Sequence, residues 1–311
     1  MFKNEQFTNQ ELRTVTAVDA PHSETESALV EASAAGVAYL RRSGAGTPVV
    51  FLHGIGSQAA SFAPLVPHLP AALDLVFWNA PGYGASAPLE VDWPTEEAYA
   101  DALAALLDAL GFDRVHLVGH SLGTLMAARF AAKRADRVAT LALAACAAGY
   151  AVPVGSPLPE KVQGRIDALV ALGAPEFART RAPRLVFQPE AHPDAVAAVE
   201  RAMAAVTMPG YGQAVHMLAA GRLTASLAQV TAPTTFLWGE GDVVTPQAQT
   251  LEAIAARRSA GGPEPSYHQI PNAGHALYLE QPAAVATVLA EHIVAENRTA
   301  GDTRPTPGMR G

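Results

Sequence analysis

The chain has 311 residues, half of them hydrophobic, with 29 acidic against 21 basic side chains and a net charge of −8. That length and apolar content allow one large α/β domain with an insertion, or two ordinary domains. The negative balance, with no Lys/Arg block, argues against nucleic acid and anionic membranes as partners, and the single cysteine, Cys146, excludes an intramolecular disulfide and any CxxC metal site.

Residues 1–28 are polar and acidic, with no apolar stretch of the kind a secretory leader carries. They read as a polar N-terminal extension, and a cytoplasmic protein is expected. "GVAYLRR" (36–42) predicts a leading strand, and "PVVFLH" (48–53) and "LDLVFW" (73–78) the next two. "PTEEAYADALAALLDALG" (94–111) opens on Pro and acidic residues and closes on Gly, which predicts a capped helix. "RVHLVG" (114–119) is a strand that runs into the helical pattern "SLGTLMAARFAAKRA" (121–135). "VATLALA" (138–144) is another strand. Residues 138–159 carry no charge, but Gly149, Pro153, Gly155 and Pro157 break their second half, so a buried strand and loop fit better than a membrane span.

Between 149 and 228 the rhythm stops. "PEKVQGRIDALVALG", "HPDAVAAVERAMAAV" and "YGQAVHMLAAG" are helical patterns with no strand among them, which predicts a helical cap over the sheet. Strands resume with "TTFLWG" (234–239) and a weaker "SYHQIP" (266–271), followed by a helix over 282–296. The tail 297–311 lacks apolar periodicity and reads as disordered. Near-continuous apolar strands alternating with helices imply an α/β fold, a doubly wound and mostly parallel sheet. Its core is expected from 29–148 and 229–296, with the cap at 149–228.

"LVGHSLGT" (117–124) places Ser121 between Gly119 and Gly123 at a strand-to-helix junction. Alone, Ser121 could simply cap the helix. G-x-S-x-G is also the pattern of a nucleophile elbow, a turn so tight that only small residues fit two before and two after the serine. A hydroxyl is a weak nucleophile and needs a base, and the base needs an orienting carboxylate. "FLWGEGDVVTP" (236–246) puts Asp242 just past one apolar strand, and "IPNAGHALYLEQP" (270–282) puts His275 just past the last. Groups beyond strand C-termini gather along one edge of a parallel sheet, where open α/β folds bind ligands. Singly, Asp242 could be a turn residue and His275 a helix cap; together and in order they read as a triad. An oxyanion needs preorganised N–H donors. Leu122, at a helix N-terminus, offers one, and Ile55 in "FLHGIGS" (51–57) the second, with His53 holding that loop.

On "HGIG" (53–56), "NAPGYGASAP" (79–88), "GHSLG" (119–123), "WGEGDVVTP" (238–246) and "GHALYLEQP" (274–282), the chain resembles the α/β-hydrolase family, in its esterase, lactonase and C–C-hydrolase branch. The resemblance spans roughly residues 36–296. It implies a serine hydrolase of a small apolar ester or lactone, with Ser121, Asp242 and His275 catalytic, Ile55 and Leu122 at the oxyanion, and no metal or organic cofactor. Three residues depart from the family pattern: Asn79 where many members have Asp, Thr124 in place of a second glycine, and Ala276 where C–C hydrolases usually carry Trp. A C–C hydrolase of aromatic ring-cleavage products would use the same triad. A slow-turnover small-molecule receptor of this fold would keep it too. Tyr150, Met208, Tyr211 and Met217 are candidates for lining the pocket from the cap.

Overall fold

The computed structural model describes residues 13–14 and 28–302. Among the described residues nine strands form one sheet: β1 (Arg13–Thr14), β2 (Val30–Ala34), β3 (Val37–Arg42), β4 (Ala45–Leu52), β5 (Leu73–Trp78), β6 (Val115–His120), β7 (Val138–Ala144), β8 (Thr234–Gly239) and β9 (Ser266–Ile270). Their spatial order is β1-β2-β3-β5-β4-β6-β7-β8-β9. From β5 to β9 every neighbouring pair is parallel, and the first three strands join antiparallel. The fold is thus the doubly wound, mostly parallel sheet that the alternating pattern implies.

Successive residues of the central strands enter different cores because side chains alternate across a sheet. Val50, Leu52, Leu117 and Leu141 pack on one face with the helices α1 (Glu96–Ala109) and α2 (Leu122–Lys133). Val49, Phe51, Phe77 and Val118 pack on the other with the 3-10 helix Ala59–His68 and α9 (Pro282–Asp302). Burial on both faces is why these strands read as apolar runs rather than alternating ones.

The expected leading strand is the second arm of a hairpin. β2 precedes β3 across a turn in which Ala35 and Gly36 both take positive φ, 50° and 76°, as two-residue hairpin turns that match strand twist require. At the other end, α9 runs on to Asp302, so residues 297–302 of the expected disordered tail are helical. No proline interrupts the chain there before Pro305. The rest of that tail, and most of the polar stretch 1–28, lie outside the described residues.

All elements between β7 and β8 are helical: α3 (Glu160–Arg181, broken at Gly173), a 3-10 turn Ala182–Leu185, α4 (Pro193–Ala204), α5 (Gly210–Ala220) and α6 (Leu223–Leu227). Both ends of this segment are stitched together. Ala151 N donates to Gly221 O at 3.1 Å and Leu223 N to Ala148 O at 3.1 Å. Gln213 on α5 spans to the loop before α1, donating to Leu89 O at 2.7 Å and Val91 O at 2.9 Å and accepting from Leu89 N at 3.2 Å. The charge-free stretch 138–159 is β7 and a loop, and no helix among the described residues is long and apolar enough to cross a membrane. After β8 come α7 (Gln247–Ser259), β9, and the short α8 (Leu277–Glu280).

Candidate active site

Ser121 sits between β6 and α2 with φ 51° and ψ −117°, a conformation that costs an L-residue about 1–3 kcal/mol. The surroundings hold it there. Ser121 N donates to Ala144 O at 2.9 Å, Thr124 N to Ser121 O at 2.9 Å, and Thr124 Oγ1 to the same oxygen at 2.6 Å. The Thr124 hydroxyl also accepts from Ala147 N at 3.2 Å, so this departure from the family pattern braces the turn. A Cβ at position 119 would lie 2.6 Å from Gly123 O, and one at 123 would lie 2.2 Å from Leu52 O. Both glycines are therefore required by close approach.

Ser121 Oγ lies 2.9 Å from His275 Nε2, and His275 Nδ1 lies 2.9 Å from Asp242 Oδ2. A carboxylate only accepts, so Nδ1 carries the proton and Nε2 turns a lone pair towards the serine. Asp242 is pinned on both oxygens. Oδ1 accepts from Val244 N at 2.7 Å and Thr245 N at 3.0 Å, and Oδ2 from Thr245 Oγ1 at 2.6 Å. Burial is the strongest influence on this carboxyl and would push its pKa up, but His275 and the Thr245 donors together hold it below the ordinary value. All three residues are buried. Glu240, the other acid of the loop, is exposed.

The His53–Ser57 loop runs beside the serine, so close that a Cβ on Gly54 would lie 2.9 Å from Ser121 Cβ. His53 Nδ1 donates to Gly54 O at 2.8 Å, and its Nε2 accepts from Ala80 N at 3.0 Å, which fixes a neutral ring as a strut between two loops. Asn79 continues the strut by accepting from Ala59 N at 2.9 Å. Ile55 lines the cavity next to His275, and Leu122 is the first residue of α2.

Three buried imidazoles outside the Ser121–His275–Asp242 line make stability sensitive to acid. Burial lowers His53 and His116 to about 4 and His120 to about 3. Unfolded, each would titrate near 6.5. Between those values the unfolded chain binds protons that the native one refuses, so the stability is complete above about pH 6.5 and is lost as pH falls towards 4. Three protons correspond to a slope of up to about 4 kcal/mol per pH unit. Urea midpoints at pH 7, 6 and 5 should fall steeply below 6.5. A constant midpoint would mean that these rings charge within the folded protein.

Several residues of the site stand outside the sequence motifs. Thr245 lies 3.3 Å from His275 Nδ1 as well as on Asp242; the D-x-x-T spacing, an aspartate accepting from backbone two and three residues on, could have marked it. Glu280 accepts from Gly274 N at 2.8 Å and from Phe187 N at 2.6 Å, and Ala276 N donates to Leu185 O at 2.9 Å. The helical segment is thereby fastened to the loop carrying His275. From that segment Leu185, Val199 and Ala202 line the cavity beside His275. The expected Tyr150, Met208, Tyr211 and Met217 do not: the first two are exposed, and the last two are packed within the core. Cys146 is a buried free thiol just past β7, with burial raising its pKa to about 12.

Residues 47–282 match the alpha/beta hydrolase fold family. The chain is 30% identical over 254 residues to 2-hydroxy-6-oxononadienedioate/2-hydroxy-6-oxononatrienedioate hydrolase 2 of Pseudomonas putida, covering 73% of this chain and 80% of that one. It is 28% identical to the pimeloyl-[acyl-carrier protein] methyl ester esterase of Chromobacterium violaceum, over 80% of this chain and 95% of the relative. Among solved structures, the enol-lactonase from Burkholderia xenovorans LB400 superposes with a TM-score of 0.74 at 22% identity, covering 85% of this chain and 99% of that one.

Proposed function

The chain belongs to the alpha/beta hydrolase family, and from that premise we propose that it cleaves a carboxylic ester or lactone through an acyl-enzyme on Ser121. The observation that carries the reading is the unbroken line Ser121 Oγ–His275–Asp242, 2.9 Å at each step, on a serine held at positive φ. His275 Nε2 takes the serine proton as Oγ attacks the carbonyl, and Asp242 stabilises the imidazolium that forms. The N–H groups of Ile55 and Leu122 meet the oxyanion, with the α2 dipole favouring the charge. His275 then protonates the leaving oxygen, and water repeats the sequence on the acyl-enzyme. The cycle uses only side chains, backbone and water. Leu185, Val199 and Ala202 act as a cap wall against a small apolar substrate, and the cytoplasm, where a free thiol such as Cys146 persists, is the expected setting.

The dienedioate hydrolase among the relatives keeps a second reading open, hydrolysis of a C–C bond in a ring-cleavage product by the same triad. Ala276, 1% exposed on the cavity wall, supports the ester reading because it stands where the C–C hydrolases of this branch usually carry Trp. The deciding measurement is kcat/KM for a short-chain ester, an enol-lactone and a 2-hydroxy-6-oxo-dienoate on one preparation. The ester or the lactone is expected to lead. A dienoate ahead by more than about tenfold, some 1.4 kcal/mol of transition-state preference, would install the second reading. A single turnover followed by a stall with every substrate would instead mark a receptor.

A further inference from the structure

The cavity beside His275 has a volume of about 20 Å³, room for one oxygen-sized group rather than a chain. Apart from its apolar wall, it is lined by Ser57, Ser61, His120 and Tyr278. His120 is 3% exposed. Its Nε2 lies 2.8 Å from the backbone oxygen of His275, an acceptor, so Nε2 carries the proton and Nδ1 is a bare lone pair. Nδ1 has no partner among the described residues. Tyr278, 6% exposed, stands edge-on to the His120 ring with centroids 4.8 Å apart. Its hydroxyl lies 3.3 Å from Ser57 Oγ and also bonds the Ser61 side chain. Three hydroxyls thus bring three protons to two mutual contacts, and one proton is left to donate elsewhere.

A buried acceptor lacking a donor and a hydroxyl cluster with a spare proton, on residues that line one small cavity, call for a group that donates and accepts at once. We propose that the cavity is a subsite for a hydroxyl carried by the substrate close to its scissile carbonyl, at the 2- or 3-position of the acyl chain, which donates to His120 Nδ1 and accepts from the Ser57–Tyr278 pair. The substrate class is then a hydroxy ester or hydroxy lactone, an assignment that rests on the hydrolase reading above. A carboxylate is excluded on chemistry: it has no proton for Nδ1, and no Lys or Arg lines the cavity to offset the burial of its charge. A bare alkyl group fits by volume but leaves Nδ1 unpaired once water is expelled, the situation in which a polar site rejects an analogue lacking the hydroxyl.

The test compares kcat/KM for ethyl 2-hydroxybutanoate and ethyl 3-hydroxybutanoate with that for ethyl butanoate, in the wild type and in Tyr278→Phe and Ser57→Ala. Taking the hydroxy-to-plain ratio relative to the variants cancels the intrinsic reactivity of each ester. For at least one hydroxy ester the wild-type ratio should exceed that of both variants by about tenfold or more. Equal ratios in all three proteins overturn the subsite. Binding of the same esters to Ser121→Ala, measured by calorimetry, needs no turnover. A hydroxy ester binding about tenfold tighter supports the subsite even if no ester is cleaved, a result that would count against the hydrolase reading alone. Equal binding overturns the subsite whatever the turnover.

Discussion

Ser121→Ala is expected to keep its fold and lose about 10⁵–10⁶-fold in kcat on a p-nitrophenyl ester, because serine and base act as a unit whose removal leaves only binding and oxyanion stabilisation. The variant has a clean structural control. Alanine keeps the Cβ and with it the strain of φ 51°, ψ −117°, whereas Ser121→Gly releases that strain. Ser121→Gly should therefore be the more stable of the two by about 1 kcal/mol, the opposite of the usual order of these residues next to a helix. A serine-directed phosphonate should label Ser121 in the wild type and nothing in either variant. Labelling at another residue, or an active alanine variant, would remove Ser121 from the mechanism.

Asp242→Asn should cost about 10⁴-fold in kcat. The reason lies in the pinned carboxylate. Two backbone donors, Val244 N and Thr245 N, hold Oδ1, so an asparagine must place its oxygen there and its NH₂ where Oδ2 now meets His275 Nδ1. An NH₂ facing Nδ1 forces the imidazole into the other tautomer, with Nε2–H pointing at the serine and no lone pair to take its proton. Glu240→Gln, at an exposed position in the same loop, should change kcat by less than about threefold. If Glu240→Gln were the damaging substitution, the orienting acid would have to be reassigned.

The apolar runs 73–78 and 234–239 coincide with β5 and β8 because strands buried on both faces leave their bounds in composition. Ser121, His275 and Asp242 are legible for a related reason: each follows a strand end, and a parallel sheet brings its strand ends to one edge. β2 is not legible, since "VEASA" is only half-buried at the margin of the sheet, and its five-residue alternation of Val30, Ala32 and Ala34 with Glu31 and Ser33 is built mostly from alanine, which favours helix as readily. The cavity wall escapes for a different cause. Which face of α4 meets the site depends on how the segment docks, and docking is fixed by contacts such as Gln213 with Leu89 that have no periodicity to read. Ser57 and Tyr278 stand 221 positions apart, and only the closed fold reveals them as neighbours.

Glu280 and the Ala276–Leu185 bond make the base depend on the helical segment. The loop that holds His275 takes one of its backbone acceptors, Leu185 O, from the helical segment, and shares with Phe187 the carboxylate that caps Gly274 N. Were those bonds lengthened, the loop would lose these supports together, so His275 is fully held only while Leu185 and Phe187 stand in place.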